Sequence, residues 1–280
     1  MSRVSVFARL TFREASRRRI LIVALLLGLV FLGLYALGFY MMRRNFLEDS
    51  TTRSPVILNE MSNFILMAGL YAVNFLTVMM AVLTSVDTIS GEISSGTIHT
   101  LVSKPIRRSE VYLGKWLGFI FLLTLYLILM VGGVIGIVKW IAGYAPPNLL
   151  FGVGLLWLNA VLLLSVSMLG GTWLSTLANG VLVFGLYGIA FIGGWMEQFG
   201  AFFHNQTAVN VGILASLIMP TESLWRRAAY EMQSPLTSAL GGFTPFSSVS
   251  VPSPAMIAYA GIYILAVLIL GLRAFSRRDL

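Results

Sequence analysis

Long apolar runs separated by short polar islands make up most of the chain. Six runs approach or exceed the roughly 20 residues that an α-helix needs to cross a hydrocarbon layer of about 30 Å. They cover residues 20–40, 64–86, 116–138, 149–177, 180–196 and 255–272, and none contains Asp, Glu, Lys, Arg or His. The pattern predicts an all-α membrane protein: a single transmembrane domain over 1–280 with six transmembrane helices. Before the first run, residues 2–19 show helical amphipathicity. Val4, Phe7, Ala8, Leu10, Thr11 and Ala15 share one side, and Arg9, Arg13 and Arg17 form an i, i+4, i+8 stripe on the other. Glu14 falls near Leu10 and Thr11, within i+4 reach of Arg18.

The longest polar connection, 197–254, has a pattern of its own. Residues 208–219 are apolar but too short to span, which predicts an interfacial or re-entrant helix. Residues 221–232 put Leu224, Ala228 and Met232 on one face, with Glu222–Arg226 and Arg227–Glu231 at i, i+4 spacing. That predicts an amphipathic helix resting on the outer surface. Glycines spaced by four, Gly114 with Gly118 and Gly132 with Gly136, allow close helix approach in the third span.

Composition and charge agree with the membrane reading and orient it. The chain is 58% hydrophobic and 11% charged, with mean hydropathy +0.87. Lys and Arg are retained on the cytoplasmic side. With the N-terminus inside, 13 of the 19 basic residues fall on inner segments and 6 on outer ones. Both termini are therefore expected in the cytoplasm. The net charge of +8 reflects topology rather than nucleic-acid binding, since no soluble segment is long enough to carry a basic surface. Zero cysteines exclude disulfides and thiolate chemistry.

The missing chemistry narrows the function. Proton-coupled carriers need ionisable groups at membrane depth, and the six runs hold none. The only histidines, His99 and His204, fall on opposite sides in this topology, so no His pair holds a metal. There is no Gly-x-x-x-x-Gly-Lys-Ser/Thr phosphate loop, so the chain is not expected to hydrolyse ATP or act as an enzyme.

One polar island carries a dense signal. It reads Gly91-Glu92-x-x-x-Gly96-Thr97-Ile98-x-x-Leu101-x-Ser103-Lys104-Pro105-x-x-Arg108, followed by Gly114-Lys115. Gly91 and Gly96 permit a sharp turn or close approach. Pro105 ends the element and biases Lys104 towards an extended shape. Ser109 is a candidate N-cap for the third span, with Glu110 in its first turn. This pattern closely resembles the cytoplasmic coupling region of ABC-2 type transporter permeases. These have a type V-like exporter fold, and the nearest branch is that of the permease of nitrous-oxide-reductase maturation. Thr11-Phe12-Arg13-Glu14-Ala15 before an Arg cluster resembles the N-terminal elbow helix of the same permeases. The stretch from Met219 to Arg226 resembles their Asn-Pro-x-x-x-x-x-Arg region, with Met in the Asn position.

The resemblance implies the membrane-spanning permease subunit of an ATP-driven exporter. It implies a cytoplasmic ABC ATPase dimer as partner, and a second copy of this chain or a similar permease. ATP and Mg would belong to the ATPase, with no cofactor on this chain. The coupling element, 87–108, would present Asp87, Gly91, Glu92, Gly96, Thr97, Leu101, Lys104, Pro105 and Arg107 to that partner, and Glu14 on the elbow helix would join them. Because the second and fifth spans line the dimer seam in this family, Asn74, Thr77 and Tyr187 are candidates for a translocation path. The implied location is the inner membrane of a prokaryote. Two other readings stay open: a non-transporting mechanical or assembly subunit acting on an extracytoplasmic partner through 197–254, and an intramembrane enzyme.

Overall fold

A computed structural model describes residues 3–48, 54–91, 107–240, 246 and 250–277. Among them are ten helices: α1 Arg3–Ser16, α2 Arg19–Glu48, α3 Pro55–Ser85, α4 Arg108–Ala142, α5 Leu149–Gly170, α6 Thr176–Phe202, α7 Gln206–Ile218, α8 Thr221–Met232, α9 Pro235–Leu240 and α10 Pro254–Arg277. Six of these, α2 to α6 and α10, are long and apolar enough to cross a membrane.

The helices outrun the apolar runs that predict them. α4 has 35 residues, or about 52 Å at 1.5 Å per residue. It carries Glu110, Lys115 and Lys139 beyond its apolar middle. Intrahelical hydrogen bonds satisfy the backbone wherever water is scarce, so a helix has no reason to stop where the apolar side chains do. Local chemistry sets the ends instead. Pro55 opens α3 at its first turn, and Gly143 closes α4 with a left-handed φ of 69°. The Asn205 side chain accepts from the backbone N–H of Thr207 and Ala208, at 3.1 and 3.2 Å, and starts α7. Ser109 does not cap α4. The N-cap lies two residues earlier, at Arg107, where Glu110 reaches back to accept from the Arg107 N–H at 3.2 Å.

α3 and α5 form the centre, each 61% buried over its most apolar stretch, while α2 is only 6% buried and lies at the periphery. Small residues set the close crossings. Tyr35 of α2 lies over Gly69 and donates from its hydroxyl to the Ile65 carbonyl at 3.1 Å. Gly28 faces Met130, and Gly133 faces Leu32. Gly114 and Gly118 do mediate a close approach, but to α1, whose Val4, Phe7, Ala8 and Thr11 lie against them. Gly132 and Gly136 face open space.

α1 is shorter than 2–19 and its buried face is narrower than expected. Thr11 and Ala15 are buried, whereas Leu10 is exposed. α1 and the end of α10, where Phe275 meets Tyr112 of α4, lie at one face of the bundle. We call it the termini face, and the opposite one the far face.

The larger correction concerns α8. It does not rest on an outer surface: Glu222, Leu224, Trp225, Arg226, Ala228 and Met232 are all buried. α7 runs back antiparallel along α6, with Val209 against Gly200 and Ala215 against Gly193. After Pro220 the chain bends by 108°, and α8 crosses to α5, where Met232 sits on Gly152 and Glu231 accepts from Asn148 at 3.0 Å. α6 ends and α5 begins at the far face, so the chain enters and leaves this hairpin on one side. The geometry is re-entrant rather than a seventh span.

Candidate functional site

Two polar clusters stand out in an otherwise apolar bundle. The first lies at the termini face, where α3 ends and α4 begins, on either side of residues 92–106. Ser85 donates to Ser167 of α5 at 2.8 Å. Asn179 of α6 donates to the carbonyls of Val86 and Ser167, at 3.2 and 2.8 Å, and its side chain packs against Gly170, where a Cβ would clash. Thr176 at the start of α6 donates to Asp87 Oδ1 at 2.9 Å and lies 2.9 Å from the Ser90 hydroxyl. Buried Lys115 of α4 donates to the Thr88 carbonyl at 3.4 Å. Four helices are thus tied together around both ends of the segment that carries the coupling pattern.

The site residues expected at this face divide by position. Asp87 and Arg107 are exposed at the termini face, and Gly91 closes a backbone bond to Asp87 at 2.9 Å. Glu14 is exposed on α1 and pairs with Arg18 at 2.7 Å. It also lines a cleft of about 600 Å³ with Phe7, Arg13, Arg17 and Lys115. Glu92, Gly96, Thr97, Leu101, Lys104 and Pro105, with His99, lie outside the described residues. Sequence reasoning did not single out Thr176 or Asn179 for this face, and it included Lys115 only as the end of the coupling pattern. The available signal was a Gly170-Gly171 pair followed by Thr176 and Asn179 where two apolar runs nearly meet.

The candidate path residues are buried within the chain. Asn74 accepts from Asn159 of α5 at 3.0 Å, and Thr77 donates to its own helix at the Val73 carbonyl, 2.8 Å. Tyr187 lies on α6, facing Tyr71 and Glu222. It begins an i, i+4 aromatic stripe through Phe191, Trp195, Phe199 and Phe203, with neighbouring ring centroids 5.6–6.5 Å apart.

The second cluster was hidden from the sequence. Glu197 belongs to α6, one residue beyond the apolar run that predicted the span, so the fifth spanning helix does carry an ionisable group. It accepts from Arg226 of α8 at 2.7 Å, both side chains being almost fully buried, and from Ser250 at 2.6 Å. Arg226 also reaches the Ser250 carbonyl at 3.3 Å. The expected Glu222–Arg226 pair is therefore replaced by a longer-range one, while Arg227–Glu231 does form, at 2.6 Å. Glu222 lies on Gly194. Burial pushes its carboxyl up to about 7; Arg226 opposes that rise and Glu197 adds to it. Among the described residues no group of three or more His, Cys, Asp or Glu could hold a metal ion.

Six helices long and apolar enough to cross a membrane, with a polar, four-helix root at one face, define a multi-pass membrane protein. The chain belongs to the ABC-2 family of transporter proteins, matching the family over residues 7–280. It is accordingly a permease component of an ABC transporter, a non-enzymatic membrane part that works with an ABC ATPase. No curated protein matches the sequence.

Proposed function

We propose that the chain is the membrane half of an ATP-driven exporter in the inner membrane of a prokaryote, with both termini cytoplasmic. It pairs with a second copy or a similar permease, and a separate cytoplasmic ATPase dimer, which binds ATP and Mg, drives it. The motif over 88–118 favours the branch containing the permease of nitrous-oxide-reductase maturation. The observation that carries this reading is the polar root. The Asp87–Thr176, Ser85–Ser167, Asn179–Val86 and Lys115–Thr88 bonds join α3, α4, α5 and α6 around residues 92–106. Force applied to that segment would enter four helices together, as a coupling element requires.

The test is co-purification with the ATPase encoded beside the gene, combined with its hydrolysis rate in nanodiscs. Glu92→Lys and Gly96→Trp should leave membrane insertion intact and remove the ATPase. Thr176→Val, which keeps the shape but loses both hydroxyl contacts, should retain the ATPase and reduce permease-dependent stimulation of hydrolysis several-fold. Wild-type ATPase recovery with both Glu92→Lys and Gly96→Trp would overturn the assignment.

A mechanical role has one supporting observation. The segment leaving the re-entrant hairpin is tied to α3 through Ser234 and Thr237, which both donate to Glu60 at 2.6–2.7 Å, and the hairpin itself is tied to the start of α5 through Glu231 and Asn148. Motion of the spans would thus reach the far face. Stoichiometric recovery of an extracytoplasmic protein with the complex would favour that reading over export.

A further inference from the structure

α2 crosses its neighbours most closely over its middle and far parts, while near the termini face Leu21, Ala24 and Leu25 rest against the core as partly buried side chains. The close crossings run from Gly28 against Met130, through Leu32 against Gly133, to Tyr35 over Gly69. Towards the termini face it has no glycine contact, and the bulky Met79 and Met80 of α3 stand opposite. A crevice of about 310 Å³ opens there between α2 and α3. Val23 and Leu27 form one wall, Leu76 and Leu83 the other, and Met80 and Tyr126 the floor. From Arg19 to Leu27 it runs eight residues, about 12 Å along the helix axis. That approaches the depth of one leaflet, half of the roughly 30 Å hydrocarbon core.

Arg19 closes the end of this crevice at the termini face. The nearest acid in sequence, Glu14, is engaged by Arg18, and Arg19 has no acidic partner among the described residues. We propose that the crevice retains one acyl chain of an anionic phospholipid, with the headgroup phosphate against Arg19. The occupant is a resident lipid of the leaflet at the termini face, and its binding requires neither an ATPase nor a second permease. The charge at the mouth decides the occupant's class. An acyl chain gains no hydrophobic free energy by leaving bulk lipid for an apolar groove, so packing alone would not select one lipid. A basic residue near an anionic surface contributes about 1 kcal/mol, or about fivefold in affinity.

Native mass spectrometry of the full-length chain, titrated with phosphatidylglycerol or phosphatidylcholine of identical chains, tests this. The wild type should hold one phosphatidylglycerol with about fivefold preference. Arg19→Gln, at an exposed position that leaves packing unchanged, should bind both lipids equally. Ala24→Trp should fill the crevice and lose both, whereas Ile262→Trp on the exposed face of α10 should match the wild type. A wild type without headgroup preference, or Arg19→Gln that keeps it, would overturn the proposal. So would a photo-crosslinker at Val23 that captures polypeptide instead of lipid.

Discussion

Glu222 shows how one side chain can make a membrane protein sensitive to pH. The residue is 6% exposed and its carboxyl lies near Glu197 and Arg226, with Tyr71 of α3 and Tyr187 of α6 close enough to feel its charge. Arg226 bonds Glu197 directly and offsets only part of the burial that disfavours the charged form of Glu222. In the fold the group stays protonated up to about 7, against an ordinary value of 4.5. Folding therefore favours its neutral form, and its contribution is complete below about 4.5. Stability then falls as pH rises through 7, by an upper bound of about 3 kcal/mol, and stays low above that. Thermal unfolding in detergent from pH 5 to 8 should show this decline in the wild type. Glu222→Gln should flatten it and raise the midpoint at pH 8. An identical pH profile in both proteins would rule out Glu222 as the cause.

At the scale of elements, α1 and α8 show how far amphipathicity reaches. Both have a polar and an apolar side in sequence, yet α1 lies on the edge of the bundle and α8 inside it. The difference lies in the partners. α8 finds Gly152, Gly194 and the Glu197 carboxylate waiting on α5 and α6, which accept its bulk and its charge. α1 finds only the Gly114–Gly118 face of α4. At Gly118 a Cβ would come within 2.8 Å of the Ala8 carbonyl oxygen, and backbone cannot move aside as a side chain can. Gly118→Leu should therefore dislodge α1 at a cost of about 1–3 kcal/mol. The check is faster proteolysis before residue 19, with the six spans remaining protected. Gly136→Leu, in open space, should leave cleavage unchanged.

At the scale of the whole molecule, an even number of crossings places α1 and the end of α10 at one face, and the proposed orientation, which rests on the excess of basic residues at that face, puts it in the cytoplasm. The chain has no native cysteine, so single introduced cysteines report topology cleanly. Ser95→Cys should resist a membrane-impermeant maleimide in intact cells and react after lysis. Phe203→Cys, exposed at the end of α6, should react in both. Labelling at position 95 in intact cells would reverse the orientation, and with it the cytoplasmic placement of the coupling segment.

The number and order of the spans were legible from the chain alone, because a bilayer imposes one strong rule. Backbone polar groups must be satisfied within each crossing segment, so roughly 20 apolar residues imply a helix. The family resemblance over 88–118 was legible for a similar reason, since Gly, Pro and charge are rare enough between spans to stand out. Which polar groups meet was not. Glu222 and Arg226 have the spacing of a helical pair, yet Arg226 reaches 29 positions back to Glu197. Asn179 bonds α3 and α5, and Lys115 the end of α3. In a low-dielectric interior a buried charge must find the partner that three-dimensional packing brings nearest, whatever its distance along the chain. Hydrophobic periodicity carries no information about that choice. Only the assembled helices decide it, including the re-entrant turn at Pro220 that brings α8 under Glu197.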